Sequence, residues 1–69
     1  MEKVVVIVER AGKKNFSAYT EYDFGRFGVT GYGSTVDEAK TDFLQAFNEM
    51  KEEFGSDDYD FDFYLDASL

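Results

Sequence analysis

The stretch GSTVDEAKTDFLQAFNEMKEEFG, residues 33–55, is the longest segment of this 69-residue chain that has the pattern of a single element. Its apolar residues recur every three or four positions, which is the spacing of one face of a helix. Thr35 and Glu38 have the spacing of a capping box at its start, and Gly55 suits its C-terminal end. The pattern predicts one amphipathic helix. Its apolar stripe consists of Val36, Ala39, Phe43, Phe47, Met50 and Phe54, with Ala46 on the flank.

The segments before this helix alternate in polarity, as β-strands do. EKVVVIVER (2–10) is apolar on both faces, which predicts a central strand. AGKKN (11–15) supplies glycine and asparagine for a reversal of the chain, so a hairpin is expected. FSAYTEY (16–22) has the alternation of a half-buried second strand.

The remaining segments complete the sheet. DFGRFG (23–28) is interpreted as a connection, and GVTGYGS (28–34) as a third strand whose glycines either admit the helix closely or mark a bulge. SDDYDFDFYLDASL (56–69) predicts an edge strand that has Tyr59, Phe61, Phe63 and Leu65 on one face and aspartates on the exposed face.

The element order is β-β-β-α-β. A right-handed crossover through the helix sets the fourth strand parallel to the first. The sequence therefore predicts a single α+β domain over residues 1–69. It is a two-layer fold in which a mixed four-stranded sheet, order 3-2-1-4, has one helix on one face.

The composition removes most ordinary catalytic and metal sites. The chain has no cysteine and no histidine, so disulfides, thiolate metal sites and the commonest general base are missing. We expect no catalytic residue, no cofactor and no metal site. No apolar segment approaches the ~20 residues of a membrane span, and the start of the chain lacks the pattern of a secretory signal, so a soluble, cytoplasmic protein is expected.

Charge and ring content point to a protein partner. The formal net charge is −8, which repels nucleic-acid phosphates and attracts a basic partner, although acidity for solubility alone is an equally simple explanation. Phenylalanine and tyrosine make up 19% of the chain. That is more ring surface than one helix over one sheet face requires, so part of it is expected at an interface.

Two possible chemical sites are weighed and rejected. Asp58, Asp60, Asp62 and Asp66 superficially have the spacing of a calcium loop, but the turn glycine and the bidentate glutamate of such a loop are missing. Glu9 is the only carboxylate expected near the centre of the sheet's functional edge. A two-metal nuclease needs several converging carboxylates, so an enzyme is not expected.

Three tyrosines, Tyr19, Tyr32 and Tyr64, are predicted to point away from the helix, with Val5 or Ile7 between them. They could form a platform for nucleobase stacking, a homodimer interface, or a face that its own long side chains cover. The negative charge opposes the first, because stacking modules pair rings with a basic groove. A homodimer interface is the favoured interpretation.

The quoted segments together resemble the N-terminal domain of the HicB family of antitoxins. VVVIVER, AGKKNF and FSAYTEY match the family's first strand, hairpin and second strand, and GSTVDEA resembles its G-D-T-x-E-E-A. The resemblance covers most of the chain and implies a fragment of the RNase H-like fold with the same β-β-β-α-β order. EYDFGRFG departs from the family's loop, which commonly contains proline and cysteine. The C-terminal DNA-binding domain of many members is not expected here.

The resemblance also implies a partner. The cognate toxin, HicA, is a small basic ribonuclease that uses a histidine, and its antitoxin binds it and covers the catalytic surface. An acidic domain would be steered onto such a protein. The alternatives are a stand-alone dimeric interaction domain without a toxin and, for the helix acids, an ordinary solvated face. The expected acidic contacts on the helix are Asp37, Glu38, Asp42, Glu49 and Glu52.

Overall fold

The computed structural model describes residues 1–66 and has the predicted α+β architecture. The four-stranded sheet has the order β3-β2-β1-β4, with β1 antiparallel to β2 and parallel to β4, which confirms the predicted order and the mixed sheet. Residues 67–69, the end of the predicted fourth strand, lie outside the described part. The elements are β1 Glu2–Arg10, β2 Phe16–Tyr19, β3 Thr30–Gly33, α1 Val36–Phe54 and β4 Tyr59–Leu65.

The central position of β1 in the sheet explains why its sequence is apolar on both faces. Val4, Val6 and Val8 are almost completely buried beneath the helix layer. On the opposite face Val5 is exposed and Ile7 is half-buried. Successive side chains of a strand point to opposite faces. The three valines therefore face the helix, and Val5 and Ile7 face the other side, as predicted.

The β1–β2 hairpin forms where the glycine and asparagine pattern indicated. The N–H of Ala11 donates to the carbonyl of Asn15 at 2.9 Å and closes the turn. The second strand ends at Tyr19, three residues earlier than predicted. The Thr20 hydroxyl donates to the Val5 carbonyl at 2.7 Å, so a side chain takes the place of the next ladder bond and the chain leaves the sheet.

The helix begins and ends at the predicted caps. The Thr35 hydroxyl accepts a hydrogen bond from the N–H of Glu38 at 3.1 Å, which is the threonine half of the capping box. Gly55 has φ 73° and donates its N–H to the Lys51 carbonyl at 2.8 Å. Within residues 1–66, no helix is long and apolar enough to cross a membrane. The buried helix residues are Ala39, Phe43 and Phe47.

Glycine brings the helix backbone onto β3. A Cβ atom on Gly31 would lie 2.3 Å from the backbone nitrogen of Phe43, and one on Gly33 would lie 2.6 Å from that of Ala39. Real Cβ atoms essentially never approach so closely. Of the two roles considered for these glycines, the structure therefore shows the close approach of the helix.

Rings fill the space between the helix and β4. Phe61 lies 5.2 Å from Phe43 and 5.0 Å from Phe47, measured between ring centroids. Phe63 lies 5.9 Å from Phe43. Leu65 was predicted on the same covered face, but it is 60% exposed, because the helix covers this strand only as far as Phe63. The helix thus meets β3 through backbone and β4 through phenylalanine side chains.

Candidate protein-binding surfaces

The helix carries a continuous stripe of carboxylates on its solvent side. At about 100° per residue, the five predicted acidic contacts lie within about 140° of arc, and at about 1.5 Å per residue they extend over about 22 Å. All five side chains are exposed. Lys40 and Lys51 lie outside this arc, on the flank that faces β4. We call this surface the acidic helix stripe. It consists of Asp37, Glu38, Asp42, Glu49 and Glu52.

Asp42 has a role within the fold in addition to its place in the stripe. Its Oδ2 accepts a hydrogen bond from the N–H of Tyr32 at 2.9 Å. Tyr32 belongs to β3, an edge strand, and this amide points away from the sheet. The carboxylate therefore satisfies an edge donor that would otherwise be open. Asp42 was expected only as a contact for a partner, and its structural bond was not foreseen.

A groove of about 420 Å³ separates β3 from the N-terminal half of the stripe. Its lining residues include Tyr32 and Asp37, with Thr41 and Gln45 along the helix. The helix contributes carboxylate, hydroxyl and amide groups to this lining. Such a lining suits a long cationic side chain, whose stem can lie along the groove while its charge meets a carboxylate.

The second surface is the sheet face opposite the helix. Ile7 pairs with Tyr19 on one side and with Tyr64 on the other, so these three side chains form one row across three strands. Tyr32 is 61% exposed, Tyr64 54% and Val5 51%. Tyr32 lies in the neighbouring row with Ser17 and Glu9, and Val5 lies beside Asp62, so the face presents exposed rings and apolar side chains among polar ones. We call it the open sheet face, and it consists of Tyr19, Tyr32 and Tyr64 with Val5 and Ile7.

Tyr19 is the half-buried member of the open sheet face. The negative charge of Glu9, followed by burial, raises the pKa of Tyr19 above its ordinary value. Its phenol is therefore neutral and available as a hydrogen-bond donor at physiological pH. A shallow hollow of about 370 Å³ beside it has Val5 and Ile7 in its floor, and Lys3 also lines it.

Nine of the thirteen rings form one aromatic cluster, in which Phe43 and Phe47 are buried, Phe54 is exposed and the other six are half-buried. Phe24 is at its centre, with five ring neighbours at centroid distances of 5.0–6.4 Å. The segment 20–29 between β2 and β3, of which only 23–28 was interpreted from sequence as a connection, contributes three of these rings and closes one end of the core. Apart from Phe16, the rings outside the cluster are the three tyrosines of the open sheet face. The cluster consists of Tyr22, Phe24, Phe27, Phe43, Phe47, Phe54, Tyr59, Phe61 and Phe63.

Tyr22 ties this segment to β4. Its ring lies 5.2 Å from that of Tyr59, in an edge-on arrangement. A side-chain hydrogen bond with Tyr59, followed by burial, raises the pKa of Tyr22 above its ordinary value. The hydroxyl therefore keeps its proton at physiological pH.

The aspartates of the fourth strand are spread along the strand. Asp58 forms an ion pair with Lys51, and Asp62 lies 3.9 Å from the ammonium nitrogen of Lys3. Asp60, between them, is exposed. Within residues 1–66, no three carboxylates come close enough together to hold a metal ion.

Comparison with known proteins gives no identification: no family model, no curated protein and no solved structure matches this chain. The structure establishes the α+β fold and its strand order.

Proposed function

We propose that this chain is an antitoxin-like module that binds and neutralises a small basic ribonuclease of the HicA type by masking its surface. The observation that carries the proposal is the acidic helix stripe, a row of exposed carboxylates on a chain of net charge −8. The β-β-β-α-β order of the fold is also the one that the resemblance to HicB antitoxins implies.

The electrostatics fit a basic protein partner better than a nucleic acid. A stripe of one sign attracts an oppositely charged surface over about 10 Å at physiological salt and raises the association rate. Exposed carboxylates contribute little to the lifetime of a complex, which depends on apolar contacts. Leu44 on the helix is 39% exposed beside the stripe and can supply such a contact. The same charge repels phosphate, so no direct nucleic-acid contact is assigned.

The proposed role requires no chemistry from this chain. It has neither cysteine nor histidine, and its clustered carboxylates are exposed on the helix. A HicA-type partner acts on cellular RNA, so the proposal places the complex in the cytoplasm. The antitoxin acts by covering the partner's catalytic surface.

A second candidate is a stand-alone dimeric interaction domain of the same fold without a toxin partner. The exposure of Tyr32, Tyr64 and Val5 on the open sheet face favours it, because several large apolar side chains exposed on one face of a small protein are typical of an interface. A homodimer through this face is compatible with both candidates, since the acidic helix stripe lies on the other side of the sheet.

Co-expression with the small basic protein encoded beside this gene tests the first candidate. We expect rescue of growth from that protein's toxicity, and one heteromeric peak in size-exclusion chromatography at micromolar concentration. If no complex forms, or if the neighbouring genes encode no small basic protein, the antitoxin function is contradicted and the dimeric interaction domain is favoured.

A matched pair of variants locates the contact. Glu49→Gln with Glu52→Gln removes two charges from the stripe, and Glu9→Gln with Glu21→Gln removes two from the side of the open sheet face. We expect the first pair to lower the association rate by about tenfold at low salt and the second to change it little. Equal effects of the two pairs would show that net charge matters and that the stripe does not.

A further inference from the structure

The outer edge of β4 carries a row of unpaired backbone groups. The N–H of Asp66 donates to the Val8 carbonyl of β1 at 2.9 Å, which fixes the direction of the backbone groups along the strand. Because these directions alternate, the N–H and C=O groups of Asp60, Asp62 and Tyr64 face β1. Those of the residues between them face outward, and in residues 1–66 no strand lies beyond this edge. The outward-facing residues are Tyr59, Phe61, Phe63 and Leu65.

We propose that this edge binds an extended segment of the basic partner by β-strand addition, with the segment becoming a fifth strand beside β4. The partner in this inference rests on the proposed function, whereas the property of the edge can be tested alone. Strand addition takes its affinity from backbone hydrogen bonds and its specificity from alternate side chains. The seven residues of β4 give room for about four outward residues, enough for a specific register.

The side chains beside the edge define the segment that fits. Residues directly opposite each other in a sheet share a face. On the helix side the new strand would lie beside the rings of Phe61 and Phe63. On the other side it would lie beside the carboxylates of Asp60 and Asp62. The complementary segment therefore alternates apolar residues with lysine or arginine.

A second copy of this chain fits the same edge poorly. The symmetric antiparallel register that pairs all seven residues of β4 with themselves is centred on Asp62, and it sets the two Asp62 carboxylates opposite each other. Like charges directly opposite are destabilising, and each copy also carries a net charge of −8. The charges of the edge therefore favour a cationic segment of a different protein.

The direct probe is an acetylated and amidated heptapeptide of alternating lysine and valine, titrated onto the whole chain by calorimetry. Two N-methylated versions separate backbone pairing from charge attraction, one methylated on its valine amides and the other on its lysine amides. Antiparallel pairing uses the valine amides and parallel pairing the lysine amides. We expect one methylated peptide to lose binding at least tenfold while the other keeps it. Equal binding of the two, or no binding of the parent peptide, would overturn the proposal.

Variants of the edge give an independent readout. Leu65→Pro removes one outward N–H and leaves the bonds to β1 intact, and Leu65→Ala is its matched control. We expect Leu65→Pro to weaken the peptide about tenfold and Leu65→Ala to change it little. A glutamate-valine peptide should not bind at all. Tight binding of that acidic peptide, or equal effects of the two variants, would contradict the proposal.

The outcomes separate this inference from the proposed function. If the basic partner binds and Leu65→Pro leaves its affinity unchanged, strand addition is wrong while the antitoxin role stands. If the lysine-valine peptide binds as expected and no complex forms with the neighbouring basic protein, the edge is a docking site and the toxin partner is wrong.

Discussion

At one edge of the sheet, β3 is four residues long, lies directly against the helix backbone and has its Tyr32 amide bound by Asp42. At the other edge, β4 is seven residues long, and phenylalanine rings separate it from the helix. Its outward amides have no partner in the described part of the chain. Edge strands invite pairing with other chains, and proteins usually block them. Here one edge is blocked and the other is open beside a row of aspartates.

The difference between the two edges indicates which of them can bind a partner strand without breaking contacts inside the domain. The β3 edge is joined to the helix through backbone contacts, so a partner strand there would have to displace Asp42. The β4 edge already has its rings packed inward, and its outward backbone groups are available. Variants that disturb one edge and leave the other intact therefore test whether the two edges differ in this way.

The largest effect is expected where the helix meets β3. Gly31→Ala places a Cβ atom 2.3 Å from the backbone nitrogen of Phe43, and overpacking of this severity destabilises by about 3 kcal/mol or more. Urea unfolding followed by circular dichroism measures the loss, and we expect a largely unfolded variant. Gly28→Ala is the matched control, because its Cβ would meet nothing within 4 Å, and a shift of less than about 0.5 kcal/mol is expected. Equal shifts would show that the close approach is not needed.

A smaller loss is expected on the β4 side, where side chains fill the gap. Phe24→Ala removes the central ring of the aromatic cluster and should cost about 2 kcal/mol, below the range for a fully buried phenylalanine because this one is half-buried. Tyr32→Ala truncates an exposed ring and should cost less than about 0.5 kcal/mol. Chemical denaturation compares the two. A Phe24→Ala variant as stable as the wild type would mean that segment 20–29 does not close the core.

A loss smaller than that of Gly31→Ala or Phe24→Ala is expected at the blocked edge. Asp42→Ala leaves the Tyr32 amide without its acceptor, which should cost about 1 kcal/mol. It should also make the chain more prone to associate, because the β3 edge is then open. Sedimentation velocity at increasing concentration measures this. Asp42→Asn retains an acceptor oxygen and is expected to stay as monodisperse as the wild type. If Asp42→Ala does too, the carboxylate does not protect the edge.

The fold could be predicted because each element has a strong local pattern. The apolar period and the threonine cap define the helix, and the hairpin connections, the right-handed crossover and the two-faced first strand predict the order β3-β2-β1-β4. Gly31 and Gly33 also indicated a close approach of the helix to β3, although the sequence did not show which helix residues they would contact. Strand ends were less predictable. Thr20 ends β2 through a side-chain bond to a distant carbonyl, and local alternation contains no information about such a bond.

The candidate surfaces were predictable only in part. Alternation placed Tyr19, Tyr32 and Tyr64 on one face correctly, and helical spacing gave the acidic helix stripe. The bond between Asp42 and the Tyr32 amide depends on how the helix lies on the sheet, which sequence spacing does not specify. The rings at positions 22, 24 and 27 recur every two or three residues, and that spacing was a usable signal that the segment is buried. Gly25 and Gly28 are typical of a loop, and the sequence interpretation therefore missed this signal.

Amide hydrogen exchange of β4, followed by NMR in dilute protein, tests most directly that one edge is closed and the other open. The amides of Asp62 and Tyr64 face β1 and should be protected, whereas those of Phe61, Phe63 and Leu65 should exchange quickly and become protected when the lysine-valine peptide is added. The Tyr32 amide should be slowed by Asp42 in the free protein. If Phe61 and Phe63 are as protected as Asp62 without any peptide, the β4 edge is already covered and the account is wrong.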